Sequence, residues 1–192
     1  HRIGKNPKGP RVAVLDFGSK ENILRELETR CSEIKIFPSR TPFDVIQAFS
    51  PDALMLTNGP GDPAAVEKAP ETIRHFLGKI PVFGICMGHQ VLSLAMGAKT
   101  YKLKFGHRGA NHPIKDSLLN KIYMSSQNHG YAVDEKTLPS DVRVTHTNLN
   151  DKTVAGFYSE KLNCLGIQYH PESHPGPHDA VLLFDYFINV MN

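Results

Sequence analysis

The residues best suited to chemistry form a short segment, Gly84-Ile85-Cys86-Met87-Gly88, at the junction of a predicted strand and a predicted helix. Its pattern, G-x-C-x-G, is the thiol counterpart of the G-x-S-x-G nucleophile elbow. Glycines on both sides permit a sharp turn and close approach of backbone, and the start of a helix stabilises negative charge on sulfur. An isolated free cysteine is most often an inert core residue, but this context favours a nucleophile at Cys86.

His170 and Glu172 are the best-placed partners for that nucleophile. His170 follows the apolar run Cys164–Tyr169, and strand ends are where sites form in open α/β sheets. Residues i and i+2 of an extended chain share a face, so Glu172 can hold the far imidazole nitrogen while the near one takes the proton from Cys86. Without the cysteine motif, His170-Pro171-Glu172 would indicate only a surface turn.

Acyl transfer also requires donors for an oxyanion, and backbone N–H groups usually supply them. The N–H of Met87, one residue past the nucleophile, is the first candidate. Gly59 and Gly61, in the segment Asn58–Pro63 after the third predicted strand, can bring a second backbone amide close because they carry no side chain. Taken alone, that segment favours a simple turn.

Other chemistries have weaker support. His170, His174 and His178 repeat every four residues, which would align three metal ligands on a helix, but the intervening prolines exclude that helix. The chain has neither G-x-x-x-x-G-K-[ST] nor G-x-G-x-x-G, so ATP or dinucleotide chemistry is expected on another polypeptide. Two polar segments, Gly106–Pro113 and Ser126–Tyr131, are predicted to be loops that form either substrate-binding walls or turns.

The elements that must position these residues alternate along the first half of the chain. The predicted strands are Arg11–Phe17, Ile34–Phe37, Ala53–Thr57 and Val82–Ile85. Each is followed by a predicted helix, with Ser19 and Thr41 as capping residues of the first two and Pro42 at the first helical position of the second. This alternation predicts an α/β fold with a doubly wound, largely parallel central sheet flanked by helices.

From Thr100 the pattern changes to short alternating strands separated by Gly, Asn and Asp turns. The second half therefore predicts a mixed or antiparallel C-terminal extension of the sheet. The predicted strands are Tyr101–Leu103, Ile122–Ser125, Val142–Thr147, Val154–Tyr158 and Cys164–Tyr169. An amphipathic helix over Asp179–Val190 is expected to close the chain.

Length and composition set the wider limits. The 192 residues carry a net charge of +3 without basic runs, which disfavours a nucleic-acid partner, and no segment is long and apolar enough to span a membrane. Cys31, Cys86 and Cys164 are too few and too widely spaced for a disulfide framework, so a reducing, cytoplasmic setting is expected. We predict one domain over residues 11–192, with residues 1–10 as a linker from a missing N-terminal domain.

The segment Gly84–Gln90, combined with His170-Pro171-Glu172, resembles the class I, or triad, glutamine amidotransferase domain. Five further segments resemble, within that family, the small chain of glutamine-hydrolysing carbamoyl phosphate synthase. They are Asn6–Phe17, Asn58–Pro63, Lys104–Pro113, Ser126–Tyr131 and Pro175–Asp179. The resemblance covers essentially the whole chain.

The resemblance implies Cys86 as nucleophile, His170 as general base and acid, and Glu172 as its orienting carboxylate. Glutamine contacts are implied for Gly59, Gly61, Met87, Gln90, Asn128, Gly130 and Tyr131. Hydrolysis of L-glutamine through a cysteinyl thioester would release ammonia for a synthetase large chain that makes carbamoyl phosphate, for pyrimidine or arginine biosynthesis. No cofactor is expected in this chain, since ATP and metal ions would bind the large chain.

Three features depart from the family pattern. The N-terminal domain of the small chain, which helps to bind the large chain, is missing; Met87 replaces a more usual Leu; and Ser173-His174 replaces a more usual Ala-Ser.

Two alternative functions stay open: an amidotransferase domain serving a guanylate or anthranilate synthase, or a non-catalytic binding module on the same fold. The presence of Cys86, His170 and Glu172 disfavours the second.

Overall fold

The computed structural model of the chain describes residues 1–172 and 181–191. Its strands are β1 Arg2–Ile3, β2 Arg11–Asp16, β3 Glu33–Pro38, β4 Ala53–Leu56, β5 Val82–Ile85, β6 Thr100–Asp116, β7 Lys121–Val133, β8 Arg143–Asn148, β9 Val154–Ser159 and β10 Cys164–Ile167. Its α-helices are α1 Glu21–Glu28, α2 Phe43–Gln47, α3 Ala69–Phe76, α4 Met87–Ala95 and α5 Leu182–Asp185. Short 3₁₀ turns cover Pro63–Ala65 and Glu135–Thr137.

All ten strands form one sheet in the order β1-β3-β2-β4-β5-β10-β9-β8-β6-β7. The five strands from β3 to β10 in this order run parallel, whereas β9, β8, β6 and β7 continue the sheet in antiparallel pairs. The predicted fold class is therefore confirmed. Because β10 returns beside β5, the residue after β10 lies near the elbow that follows β5.

Alternating side chains of the parallel strands fill two apolar cores, one on each face of the sheet. On β2, Val12 and Val14 pack in the core that contains α1 and α5, whereas Ala13 and Leu15 pack in the core that contains α2, α3 and α4. All four side chains are fully buried. Burial on both faces explains why this strand is a continuous apolar run rather than an alternating one.

The predicted caps of the first two helices are wrong. Lys20, not Ser19, precedes α1, and its side chain makes no cap hydrogen bond. Ser19 lies in a turn after β2 in which Asp16 Oδ1 accepts the N–H groups of Gly18 (2.8 Å) and Ser19 (2.7 Å). Pro42 stands at the cap position of α2 instead of the first helical position, and the Thr41 hydroxyl donates back to the Pro38 carbonyl. In both cases the predicted capping residue belongs to the turn after the preceding strand.

The loops predicted at Gly106–Pro113 and Ser126–Tyr131 are strand residues instead, within the long hairpin formed by β6 and β7. The pairing shifts register twice along β6, between Lys102 and His107 and between Gly109 and His112. Gly106 and Gly109 have φ of 69° and 116°, which supplies the bulges. Bulges and a polar exposed face remove the strict alternation by which a strand is recognised.

The two ends of the chain complete the sheet and one core. Residues 1–10, predicted to be a linker, include β1, which pairs antiparallel with β3 at the sheet edge. Of the helix predicted over Asp179–Val190, the described part consists of α5 followed by a π-helical segment, Tyr186–Val190. Ser173, His174 and the segment Pro175–Asp179 lie outside the described residues. Within the described ranges, no helix is long and apolar enough to cross a membrane.

Candidate active site

Cys86 occupies a strained turn between β5 and α4. Its φ of 53° and ψ of −104° lie outside the regions that side-chain-bearing residues normally adopt, and its N–H donates to the Ile167 carbonyl at 2.9 Å. A Cβ on Gly84 would lie 2.6 Å from the Gly88 carbonyl carbon, and one on Gly88 would lie 2.2 Å from the Leu56 carbonyl oxygen. The glycines of the elbow are therefore required by backbone packing.

His170 and Glu172 lie in the segment immediately after β10. Their side chains are joined by a 2.8 Å contact between His170 Nδ1 and Glu172 Oε1, and both residues are buried, Glu172 completely. Burial by itself lowers the pKa of His170, but hydrogen bonds to Cys86 and Glu172, with the charges of both, outweigh burial and raise the pKa to about 9. The imidazolium form of His170 is thus stabilised between sulfur and carboxylate.

Backbone carbonyls of the outer strand β7 contact Cys86, His170 and Gln90. The Ser126 carbonyl accepts the N–H of His170 at 2.9 Å, and the Asn128 carbonyl lies 3.8 Å from the Cys86 sulfur. The Tyr131 carbonyl accepts a hydrogen bond from Gln90 Nε2 at 2.8 Å. The hairpin therefore supports residues from the elbow, from α4 and from the segment after β10.

A cavity of about 400 Å³ opens above Cys86. Its lining comprises Gly18, Lys20, Asn58, Gly59, Pro60, Gly61, Cys86, Met87, Gln90, Arg108, Asn128, His129, Gly130, Tyr131 and His170. The cavity brings together all the predicted site residues except Glu172, which lies behind His170. This volume is within the range typical of small-molecule sites.

Two kinds of backbone donor border the cavity. The N–H of Met87 belongs to the first turn of α4, where amides lack intrahelical acceptors. The segment containing Gly59 and Gly61 follows β4; a Cβ on Gly59 would lie 2.2 Å from the Phe17 carbonyl oxygen, and Gly61 has φ of 91°. Glycine at both positions lets this backbone reach the cavity.

Sequence reasoning missed six lining residues, among them the cations Lys20 and Arg108, which are both exposed. Lys20 could have been found, because it lies just beyond the carboxyl end of β2, where sites in such sheets form. Arg108 lies in the segment Gly106–Pro113, which the sequence marked as either a substrate-binding wall or a turn, and the pairing of the hairpin brings it to the cavity. In the parts of the chain that the structure describes, no group of three His, Cys, Asp or Glu side chains could hold a metal ion.

Comparison with known proteins gives a consistent set of similarities. The family model for glutamine amidotransferase class-I matches residues 13–190. The chain is 51% identical over 185 residues to the carbamoyl phosphate synthase small chain of Staphylococcus saprophyticus, covering 96% of this chain and 50% of that protein. It is 48% identical over 188 residues to the chloroplastic carbamoyl phosphate synthase small chain of Oryza sativa, covering 98% of this chain and 42% of that protein.

The chain thus spans about half the length of the curated relatives it matches. A crystal structure of a protein described as a GMP synthase subunit, from Thermoplasma acidophilum, superposes with a TM-score of 0.79 at 20% identity, covering 100% of this chain and 95% of that one. At that identity the likeness concerns the fold alone. From the family match and the elbow geometry together, the chain belongs to the class-I glutamine amidotransferase family.

Proposed function

We propose that this chain hydrolyses the side-chain amide of L-glutamine through a thioester on Cys86. The observation that carries the proposal is the position of His170 between Cys86 and Glu172, with hydrogen bonds to both, while Cys86 and His170 line the cavity. Such an arrangement activates a thiol by proton transfer to the imidazole, while the carboxylate fixes the tautomer.

The proposed reaction has two halves. The Cys86 thiolate attacks the amide carbon of glutamine, and the Met87 N–H and the backbone around Gly59 stabilise the oxyanion that forms. His170 donates its proton to the leaving nitrogen, so that ammonia departs and a glutamyl thioester remains. A water molecule then attacks the thioester with His170 as general base, which releases glutamate and returns the proton to sulfur.

The remaining lining residues offer groups for each end of glutamine. Gln90 is 2% exposed and its Nε2 is engaged by Tyr131 and Gln168, so its side-chain oxygen is the atom available to accept from the substrate amide. Asn128 and the backbone of Gly130 and Tyr131 are proposed to hold the α-amino and α-carboxylate groups. Lys20 supplies a positive charge that complements the carboxylate.

We further propose that the ammonia is passed to a synthetase large chain that uses it to make carbamoyl phosphate, with ATP and metal ions bound there. The names of the relatives support this partner, and their double length supports an additional domain in the small chain. The three cysteines, all buried and unbridged, fit a reducing, cytoplasmic compartment. Pyrimidine or arginine biosynthesis would consume the product.

The test is a glutaminase assay with labelled glutamine, in which the reaction is quenched with acid and the label bound to the protein is measured. Wild-type protein is expected to release glutamate and ammonia and to retain label on sulfur, whereas Cys86→Ala does neither. Cys31→Ala is the matched control, because Cys31 is a buried thiol whose pKa burial raises to about 12, and its loss should leave hydrolysis intact. Turnover by Cys86→Ala would refute the proposal. Addition of a large chain, ATP and bicarbonate tests whether carbamoyl phosphate is the product.

A further inference from the structure

A continuous chain of polar contacts crosses the β6–β7 hairpin and ends at the cavity. Asp151 Oδ2 lies 2.5 Å from His107 Nε2, and His107 Nδ1 lies 3.2 Å from His129 Nε2. His129 Nδ1 lies 2.7 Å from the Tyr131 carbonyl oxygen, the same oxygen that accepts the amide of Gln90. Asp151 is outside the site described above, yet it is connected to two residues of the cavity wall.

The fold places these residues in line. His107 and His129 are a directly opposed pair of β6 and β7, and the bulge at Gly106 sets that register. The two imidazole rings meet edge to face with centroids 4.8 Å apart, and both residues are buried. Asp151, whose side chain is 40% exposed, lies between β8 and β9 and closes the outer end of the chain.

The number of protons in the chain can be counted. Each of the contacts Asp151–His107, His107–His129 and His129–Tyr131 requires one proton, whereas two neutral imidazoles carry only two. The side-chain oxygen of Gln127, 2.8 Å from His129 Nε2, adds an acceptor and no proton. Burial lowers the pKa of His129 to about 4, which favours the neutral form of that ring, and the carboxylate of Asp151 lies against the other ring, His107. The placement of hydrogens in the pair therefore depends on Asp151.

We propose that His107 and Asp151 are positioning residues for the glutamine-binding wall. Together they hold His129 against the Tyr131 carbonyl, and that carbonyl in turn holds the side chain of Gln90 in its cavity-facing orientation. This inference rests on the proposed function, because glutamine is the substrate whose affinity the wall would set. Neither residue lines the cavity, so neither is assigned contact with substrate or with the reacting atoms.

The same geometry makes the orientation of the wall depend on Asp151. Without a polar group at this position, His107 Nε2 loses its contact and the two rings are no longer held from the outer end of the chain. An amide in place of Asp151 donates to His107, and the chain then requires only two protons.

The experiment compares Asp151→Ala, Asp151→Asn and wild type in glutamine hydrolysis. Asp151→Ala should raise KM about threefold to tenfold with little change in kcat, the size expected for residues coupled in one hydrogen-bond network. Asp151→Asn keeps an oxygen for the Thr153 N–H and a donor for His107, so its KM should be near the wild-type value. Asp134→Ala is the matched control, since the Asp134 side chain accepts a local turn N–H from Lys136.

Equal KM values for wild type and Asp151→Ala would overturn the inference, as would a comparable KM rise in Asp134→Ala. A wild-type protein that does not hydrolyse glutamine would contradict the proposed function instead. The hydrogen-bonded chain has its own test in ¹⁵N spectra of labelled histidine without substrate. Asp151→Ala should change which ring nitrogens of His107 and His129 carry hydrogen; spectra identical to those of wild type would refute the role of Asp151.

Discussion

Replacing Glu172 by Gln should change how the stability of the fold depends on pH. The pKa of His170 rises from its ordinary 6.5 to about 9 because its bonds to Cys86 and Glu172 outweigh burial. A raised pKa stabilises the folded state fully below pH 6.5, and this contribution is lost as the pH rises through about 9. A difference of one pKa unit corresponds to about 1.4 kcal/mol, so this rise contributes roughly 3 kcal/mol to the free energy of unfolding.

The Glu172 carboxylate is one of two groups that raise the pKa of His170. Its removal should therefore lower the free energy of unfolding by roughly half of that contribution, about 1–2 kcal/mol near pH 6. The gap between wild type and Glu172→Gln should then narrow above about pH 9, where His170 is neutral in both. Gln is close in size to Glu, so packing around this fully buried position is little changed.

Urea unfolding at a series of pH values measures this difference. The buried thiols Cys31 and Cys164, whose pKa values burial raises to about 12, also weaken the fold in alkali, but equally in both proteins. The variant should also lose glutaminase activity by about a hundredfold or more, because the imidazole is no longer held in the productive tautomer. Parallel pH–stability curves for the two proteins would refute the reasoning.

Three further substitutions test packing and buried polar contacts. Gly88→Ala should cost about 3 kcal/mol or prevent folding, since its Cβ would lie 2.2 Å from backbone, whereas Gly130→Ala, with open space at Cβ, should stay within about 0.5 kcal/mol in urea unfolding. Equal losses would contradict this. Asp116→Ala removes a buried carboxylate that lies 3.2 Å from His146 Nε2 and accepts hydrogen bonds from the Leu118 and Leu119 N–H groups and the Tyr123 hydroxyl, and it should cost about 3–5 kcal/mol in the same assay. A loss below 1 kcal/mol would show that this network is not stabilising.

Local sequence was sufficient for the elements that are locally encoded. Continuous apolar runs predicted the buried parallel strands, since a strand covered on both faces has no polar alternation. The pattern G-x-C-x-G predicted the turn at Cys86. A Cβ at position 88 would lie only 2.2 Å from the Leu56 carbonyl oxygen, so glycine is required there. The contact between His170 and Glu172 was predicted from their spacing of two residues, although the structure forms it in a turn rather than in extended chain.

Tertiary structure alone decided how the second half of the chain meets the first. In the β6–β7 hairpin the segments Gly106–Pro113 and Ser126–Tyr131 are polar and gave no strand signal, yet their pairing carries Asn128 to Cys86 and Tyr131 to Gln90. The contact of Asp151 with His107 joins residues 44 positions apart through the order of strands in the sheet. Side-chain type and spacing determine which chemistry is available, but long-range strand pairing, which no local pattern encodes, determines which side chains surround it.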